Sequence, residues 1–191
     1  MKSDIIKVSS REDRVDPVLD QAERAAAYRG LRGRSALQLR LLAEEMMSMM
    51  RSVVGEVVGE FWIESEGDDF ELHLRAETNV DAYKREKLLS AATSGKNEAE
   101  RGFMGKLRAF FAPAEGAPVL CNLCPDGMFT DMTWTMSAYQ AQIRQYIEQS
   151  REGAQESWDE LEKSVVAHVA DEVKVSIRDG HVEMTVFKRF E

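Results

Sequence analysis

Apolar residues recur at two different periods along this chain, and the changes of period mark its elements. Residues 5–9 (Ile5-Ile6-Lys7-Val8-Ser9) predict a short opening strand. Asp16-Pro17 then predicts a helix start, with Asp as N-cap and Pro at the first helical position. This helix runs to about Arg29 and stops at Gly30. A second glycine, Gly33, follows, and Ser35 is placed to cap a longer helix that continues to about Val54. On that helix Leu39, Leu42, Met46, Met49, Met50 and Val53 form one stripe, with Ala43 at its edge. Arg40, Glu44, Ser48 and Arg51 occupy the opposite face. Glu45 falls at the border of the stripe, beside Met49 and Gln38.

The period then drops to two. Phe61 and Ile63 alternate with Trp62 and Glu64, a Glu66-Gly67-Asp68-Asp69 turn follows, and Phe70, Leu72, Leu74 and Ala76 face one way. The same alternation closes the chain. Val173, Val175 and Ile177 lead into Asp179-Gly180, a two-residue turn suited to type I′ geometry, and Val182, Met184 and Val186 return on the same face. Between the hairpins, residues 81–91 predict a helix, and the Gly- and Lys-containing stretch 93–106 leads into an apolar segment ending near Phe111. Residues 113–131 read as a long irregular loop with three prolines. Met132, Met136, Tyr139, Ile143 and Ile147 predict an amphipathic helix, and Trp158, Leu161, Val165 and Val169 another that feeds the final hairpin.

Strand, two helices, hairpin, several helices, hairpin is an order that predicts an α+β two-layer sandwich: a mixed, mainly antiparallel sheet with helices on one face. Direct hairpins supply most strand connections, which disfavours a doubly wound parallel sheet. A single domain over residues 1–191 is expected, with a helical insertion at about 112–157 before the closing hairpin.

Composition narrows the partners. The formal charge of −9, with basic residues interleaved among acidic ones, argues against nucleic acid, because phosphate binding needs a clustered positive field. The apolar runs are only a few residues long, so no membrane span is expected. No apolar signal core follows Met1-Lys2-Ser3-Asp4, which predicts a cytoplasmic chain. The two cysteines make one C-x-x-C, Cys121 to Cys124, expected to be reduced thiols. A tetrahedral zinc site would need two further ligands, and His73, His168 and His181 show no pairing spacing; His73 and His181 are expected to project outward from strands.

This order of elements, with Leu39-Arg-Leu-Leu-Ala-Glu-Glu-Met46 on the long helix and the strands from Ala170 to Phe190 at the close, resembles the histidine-kinase-like ATPase family (the GHKL or Bergerat fold). Within it the chain looks most like the anti-sigma-factor serine kinases. The likeness spans residues 8–76 and 170–190, and it implies a Bergerat-like fold, an ATP or ADP ligand and a protein partner (a sigma factor or an anti-anti-sigma-like protein), with a homodimer as a further option.

The family's long helix carries Glu-x-x-x-Asn, whose Glu orients the nucleophile and whose Asn holds Mg²⁺. Glu45 matches the Glu, but Met49 stands in place of the Asn, and a thioether is a poor ligand for a hard cation. The family's adenine-binding Asp-x-Gly falls at Ala76-Glu77-Thr78-Asn79, where Glu77 is the substitute acceptor on offer. Its phosphate-wrapping lid falls on Thr93-Ser94-Gly95-Lys96-Asn97 and Gly102-Phe103-Met104-Gly105-Lys106. These residue types suit a phosphate through backbone N–H groups and ammonium charge, although the spacing is not that of a Walker A loop. The resemblance therefore implies Glu45 as base toward a partner serine, Lys96 and Lys106 on the phosphates, and Mg²⁺ binding put in question by Met49. Two other readings stay open: an interaction module of the same fold without nucleotide, and a metal or thiol protein built on the Cys121/Cys124 loop.

Overall fold

A computed structural model describes residues 1–9, 15–54, 58–77, 120–123, 129–151, 153–178 and 181–191. In chain order the described elements are β1 (Ile6–Ser9), α1 (Asp16–Tyr28), α2 (Gly33–Val54), β2 (Val58–Glu66), β3 (Asp69–Glu77), β4 (Leu120–Leu123), β5 (Phe129–Thr135), α3 (Met136–Glu148), α4 (Ala154–Lys163), α5 (Val165–Val169), β6 (Glu172–Arg178) and β7 (His181–Arg189). The strands form one seven-stranded sheet in the order β1-β2-β3-β7-β6-β5-β4. Every pairing in it is antiparallel, so the expected parallel component is absent from the described strands.

The α+β architecture follows from alternation on the central strands. Phe61 and Ile63 stand opposite Leu74 and Leu72, and those in turn oppose Met184 and Val186, which oppose Val175 and Val173. All eight are fully buried and belong to one apolar cluster. The helices supply the other layer: Val18, Ala22, Ala25 and Ala26 from α1, Leu39, Leu42, Met46 and Met50 from α2, and Met136, Tyr139 and Ile143 from α3 join the same cluster. Of the expected α2 stripe, Leu39, Leu42, Met46, Met49 and Met50 are buried, as is Ala43 at its edge; Met47 is buried as well, and the Val53 side chain lies outside the described residues.

Several boundaries differ from expectation, each for a local reason. Asp16 is the first helical residue rather than the cap; Val15 holds the cap position without a side-chain bond, and Pro17 sits in the first turn. The helix ends on Gly30 at φ +76°, with Leu31 N–H bonded to the Ala26 carbonyl and Gly30 N–H to Ala27. The next helix starts at Gly33 rather than after Ser35. The stretch expected to be loop, residues 113–131, contains β4 and the start of β5, and Met132 lies in β5 opposite Ile177 rather than in a helix. The extended Thr135 ends that strand and caps α3 by accepting from Ala138 N–H. The expected helical insertion thus adds two strands to the sheet edge as well as α3. The helix expected through Trp158 and Val169 is broken at Ser164, which is extended and whose hydroxyl caps α5 at Ala167 N–H. The helix expected over 81–91, the Gly- and Lys-containing stretch 93–106 and the turn at Asp179-Gly180 lie outside the described residues. The register does pair Arg178 with His181 across that turn.

Candidate functional site

The long helix α2 packs across β3 and β7, the strands at the centre of the sheet. Glu45 lies on it half-buried, at the rim of the core, and makes no hydrogen bond or ion pair among the described residues. Glu44 points outward, as the periodicity requires. Met49, one turn beyond Glu45, is 4% exposed and part of the apolar cluster. A side chain at this position therefore meets hydrocarbon, and the sulfur offers no oxygen donor to Mg²⁺.

Glu77 is the last residue of β3, its backbone opposite His181; its side chain lies outside the described residues. Ser94, Gly95, Lys96, Gly102, Gly105 and Lys106 all lie outside them as well, and so does Cys124. Cys121 falls in β4 with its backbone opposite Met132. Among the described residues no group of His, Cys, Asp and Glu is arranged to hold a metal ion. No described helix is long and apolar enough to cross a membrane.

A second constellation sits on the sheet face away from the helices, and the sequence reading reached only part of it. Trp62, His73 and Thr185 are consecutive cross-strand partners on β2, β3 and β7. Alternation places them opposite the apolar set, yet Trp62 is only 6% and Thr185 only 7% exposed. The His73 ring lies flat on Trp62, with centroids 4.8 Å apart and planes 2° from parallel. Long charged side chains roof the pair. Lys2 Nζ and Arg75 Cζ stand 5.4 and 5.6 Å from the indole centroid, the geometry of cation–π contacts.

Carboxylates complete this surface. Glu64 accepts from Trp62 Nε1–H at 2.9 Å and pairs with Lys2 at 2.8 Å. The bond from Lys2, then that from Trp62, holds the Glu64 carboxyl below the usual carboxylate range against the opposing effect of burial. Glu183 takes Arg75 at 2.9 Å, and Glu71 Oε2 lies 3.3 Å from His73 Nε2. His73 does face outward, as expected for its strand position, but its side chain is only 12% exposed because these neighbours cover it. His181 and His168 are exposed, and His168 Nδ1 lies 3.1 Å from the Ser164 carbonyl oxygen.

No protein-family model, curated protein or solved structure matches the chain.

Proposed function

We propose that this chain is a divergent domain of the histidine-kinase-like fold, of anti-sigma-kinase type, that regulates a cytoplasmic protein partner by binding it and does not transfer phosphate with Mg²⁺. One observation carries the reading: the helix that bears Glu45 buries Met49 in the core, at the position where the resembled family keeps its metal-binding Asn. The carboxylate is retained at the helix rim, and its metal partner is replaced by core packing. Helices on one face of an antiparallel sheet, with the long helix over its central strands, agree with the same fold. The fold layout supports the family reading; the exchange of Asn for Met supports a role in binding over catalysis.

Isothermal titration of the full chain with ATP and with ADP, each with and without Mg²⁺, tests this. Weak binding unaffected by Mg²⁺ is expected. Binding that requires Mg²⁺, or transfer of γ-phosphate to an added sigma-factor-like or anti-anti-sigma-like protein, would overturn the non-catalytic reading. Absence of any heat at millimolar nucleotide would leave an interaction module of the same fold.

A further inference from the structure

Opposite charges alternate closely along most of this chain, but from Arg24 to Arg40 there are five arginines and no acidic residue, in a chain whose formal charge is −9. The stretch holds the end of α1, the short link to α2 and the start of α2, so the fold gathers it into one corner. Arg24, Tyr28, Arg29, Arg32, Arg34 and Leu37 are all exposed there. Arg24 and Tyr28 stand one turn apart on α1, as do Arg34 and Leu37 on α2. Arg40 is held by Glu23 at 2.8 Å. The other four arginines have no carboxylate among the described residues: Arg24 reaches the Gln21 amide oxygen at 3.5 Å, Arg29 donates to the Gly67 carbonyl, and Arg32 and Arg34 make no ion pair or hydrogen bond. Tyr28 is 76% and Leu37 61% exposed, the highest values for large apolar side chains among the described residues. Arginine and tyrosine are the residue types that most often anchor protein interfaces, and an exposed leucine beside them suits a protein surface better than a phosphate backbone.

A matching surface lies on α4. It carries Glu156, Asp159, Glu160 and Glu162, all exposed, against one lysine, Lys163. Glu156, Asp159 and Glu160 follow the three- and four-residue spacing of one helix face. Asp159 accepts from Gln155 at 2.9 Å and Glu162 from Trp158 at 2.8 Å, and no carboxylate of this helix has a cationic partner among the described residues. Val165, just beyond its end, is 38% exposed. Within one chain the two surfaces belong to opposite halves of the sheet. Helix α1 packs on α2, β1 and β2, whereas α4 packs on α3 and α5, and α3 packs on β5 and β6. Strands β3 and β7 lie between those two pairs.

We propose that the basic corner of one copy docks on α4 of a second copy, guanidinium against carboxylate, with Tyr28 and Leu37 supplying the apolar contact. In a two-fold pair the contact is made twice, once in each direction. Two copies at −9 repel as whole molecules, but in about 0.1 M salt charges more than about 10 Å apart are largely screened. What then acts is the facing set, arginines on one side and carboxylates on the other. The contact needs neither a nucleotide nor the protein partner proposed above, so it stands apart from that reading.

Sedimentation equilibrium of the full chain, from micromolar to submillimolar concentration, tests it. The weight-average mass should rise with concentration above that of one chain, and the rise should shrink in about 0.5 M salt, where the screening length is less than half as long. Arg32→Glu with Arg34→Glu should weaken association by more than about tenfold, and so should Glu156→Arg with Glu160→Arg, because each change sets like charges face to face. Mixed in equal amounts, the two doubly substituted chains should associate again, since the acidic corner of one meets the basic α4 of the other. The four positions are exposed, and circular dichroism checks that each variant is folded. Should either fail to fold, Arg32→Gln with Arg34→Gln must still show the loss. A chain that stays monomeric at every concentration, association indifferent to salt and to the corner substitutions, or a mixture whose members stay apart would overturn the proposal. Binding of a labelled DNA or RNA oligomer by the monomer, abolished by Arg32→Glu with Arg34→Glu, would overturn it too and give the corner to a polyanion.

Discussion

Met49 follows Glu45 by one turn of α2, and the two side chains occupy different media: the thioether is 4% exposed within the apolar cluster, while the carboxylate sits half-buried at its rim. That separation sets the outcome of a substitution at Met49. Met49→Asn installs the residue type of the resembled family but places an amide among Leu42, Met46 and Met50. It should cost about 2–4 kcal/mol, from lost apolar burial and an unpaired polar group. Urea denaturation with and without millimolar Mg²⁺ checks this. The midpoint should drop and stay insensitive to the ion, and a midpoint rescued by Mg²⁺ would show that an oxygen site forms there. Glu45→Gln, at the rim and without partners among the described residues, should change stability by no more than about 0.5 kcal/mol.

Gly59 is a tighter constraint than any side chain near it. On β2 it stands opposite Ala76, and a Cβ at this position would lie 2.2 Å from the backbone carbonyl oxygen of Arg75. A backbone oxygen in a paired strand cannot step aside as the end of a side chain can. Gly59→Ala should therefore cost about 1–3 kcal/mol by forcing the β2–β3 pair apart. Gly67, in the turn of the same hairpin at φ +56°, has open space around it, so Gly67→Ala pays backbone strain alone, about 1 kcal/mol. The larger loss in the first variant, read from urea midpoints, is the check.

The elements read correctly from the sequence are those whose pattern is long compared with its period. Among the described side chains, the α2 stripe from Leu39 to Met50 and the alternation on β2, β3, β6 and β7 bury what they predict. The β4–β5 hairpin at the sheet edge escaped because β4 spans only Leu120–Leu123, with prolines nearby. Met132 misled because its spacing to Met136 and Tyr139 fits a helix as well as a strand end. Ser164 broke an apparent single helix through its own hydroxyl cap, a local bond that outcompetes helix continuation. Glu45 was legible as a rim residue. The Trp62–His73–Thr185 row was not, because it needs β3 beside β7, a pairing between segments more than a hundred residues apart. Alternation fixes which face a residue takes; it says nothing about which distant strand lies next to it.

The corner where β7 ends should set the acid limit of the fold. Arg189 holds Asp69 with two bonds, at 2.6 and 2.5 Å, and its backbone N–H donates to Asp171, which also takes Lys188 at 2.9 Å. The bond from Arg189 keeps the Asp69 carboxyl below its ordinary range. At Asp171 burial pushes upward, but the Arg189 N–H and the Lys188 ammonium outweigh it, and the net direction is down. A carboxyl depressed in the folded state binds fewer protons there than in the unfolded chain. Its contribution is present above the unfolded value, about 4, and is lost as pH falls through the depressed folded one. Urea stability should decline as pH drops below about 4, and Asp171→Asn should flatten that decline while lowering stability at neutral pH. An acid slope unchanged in Asp171→Asn would assign the loss to other carboxylates.

Tyr139 should set a corresponding feature at the alkaline end. It is buried on α3 beside Trp134 of β5, with ring centroids 5.9 Å apart. Burial, followed by the negative charge of Glu160, pushes its phenol up to about 12, while a hydrogen bond with Ser157 works in the opposite direction. The folded chain then keeps a proton that the unfolded chain releases near 10, so folding stability falls as pH rises above about 10. The chain has four tyrosines, and ultraviolet titration of phenolate absorbance should show one of them ionising late. In Tyr139→Phe the late step should vanish and the loss of stability above pH 10 should be smaller. Removing the carboxylate in Glu160→Gln should bring the late step to lower pH without abolishing it, because burial is the larger cause and remains. A late step that survives Tyr139→Phe would mean that a different tyrosine is the buried one.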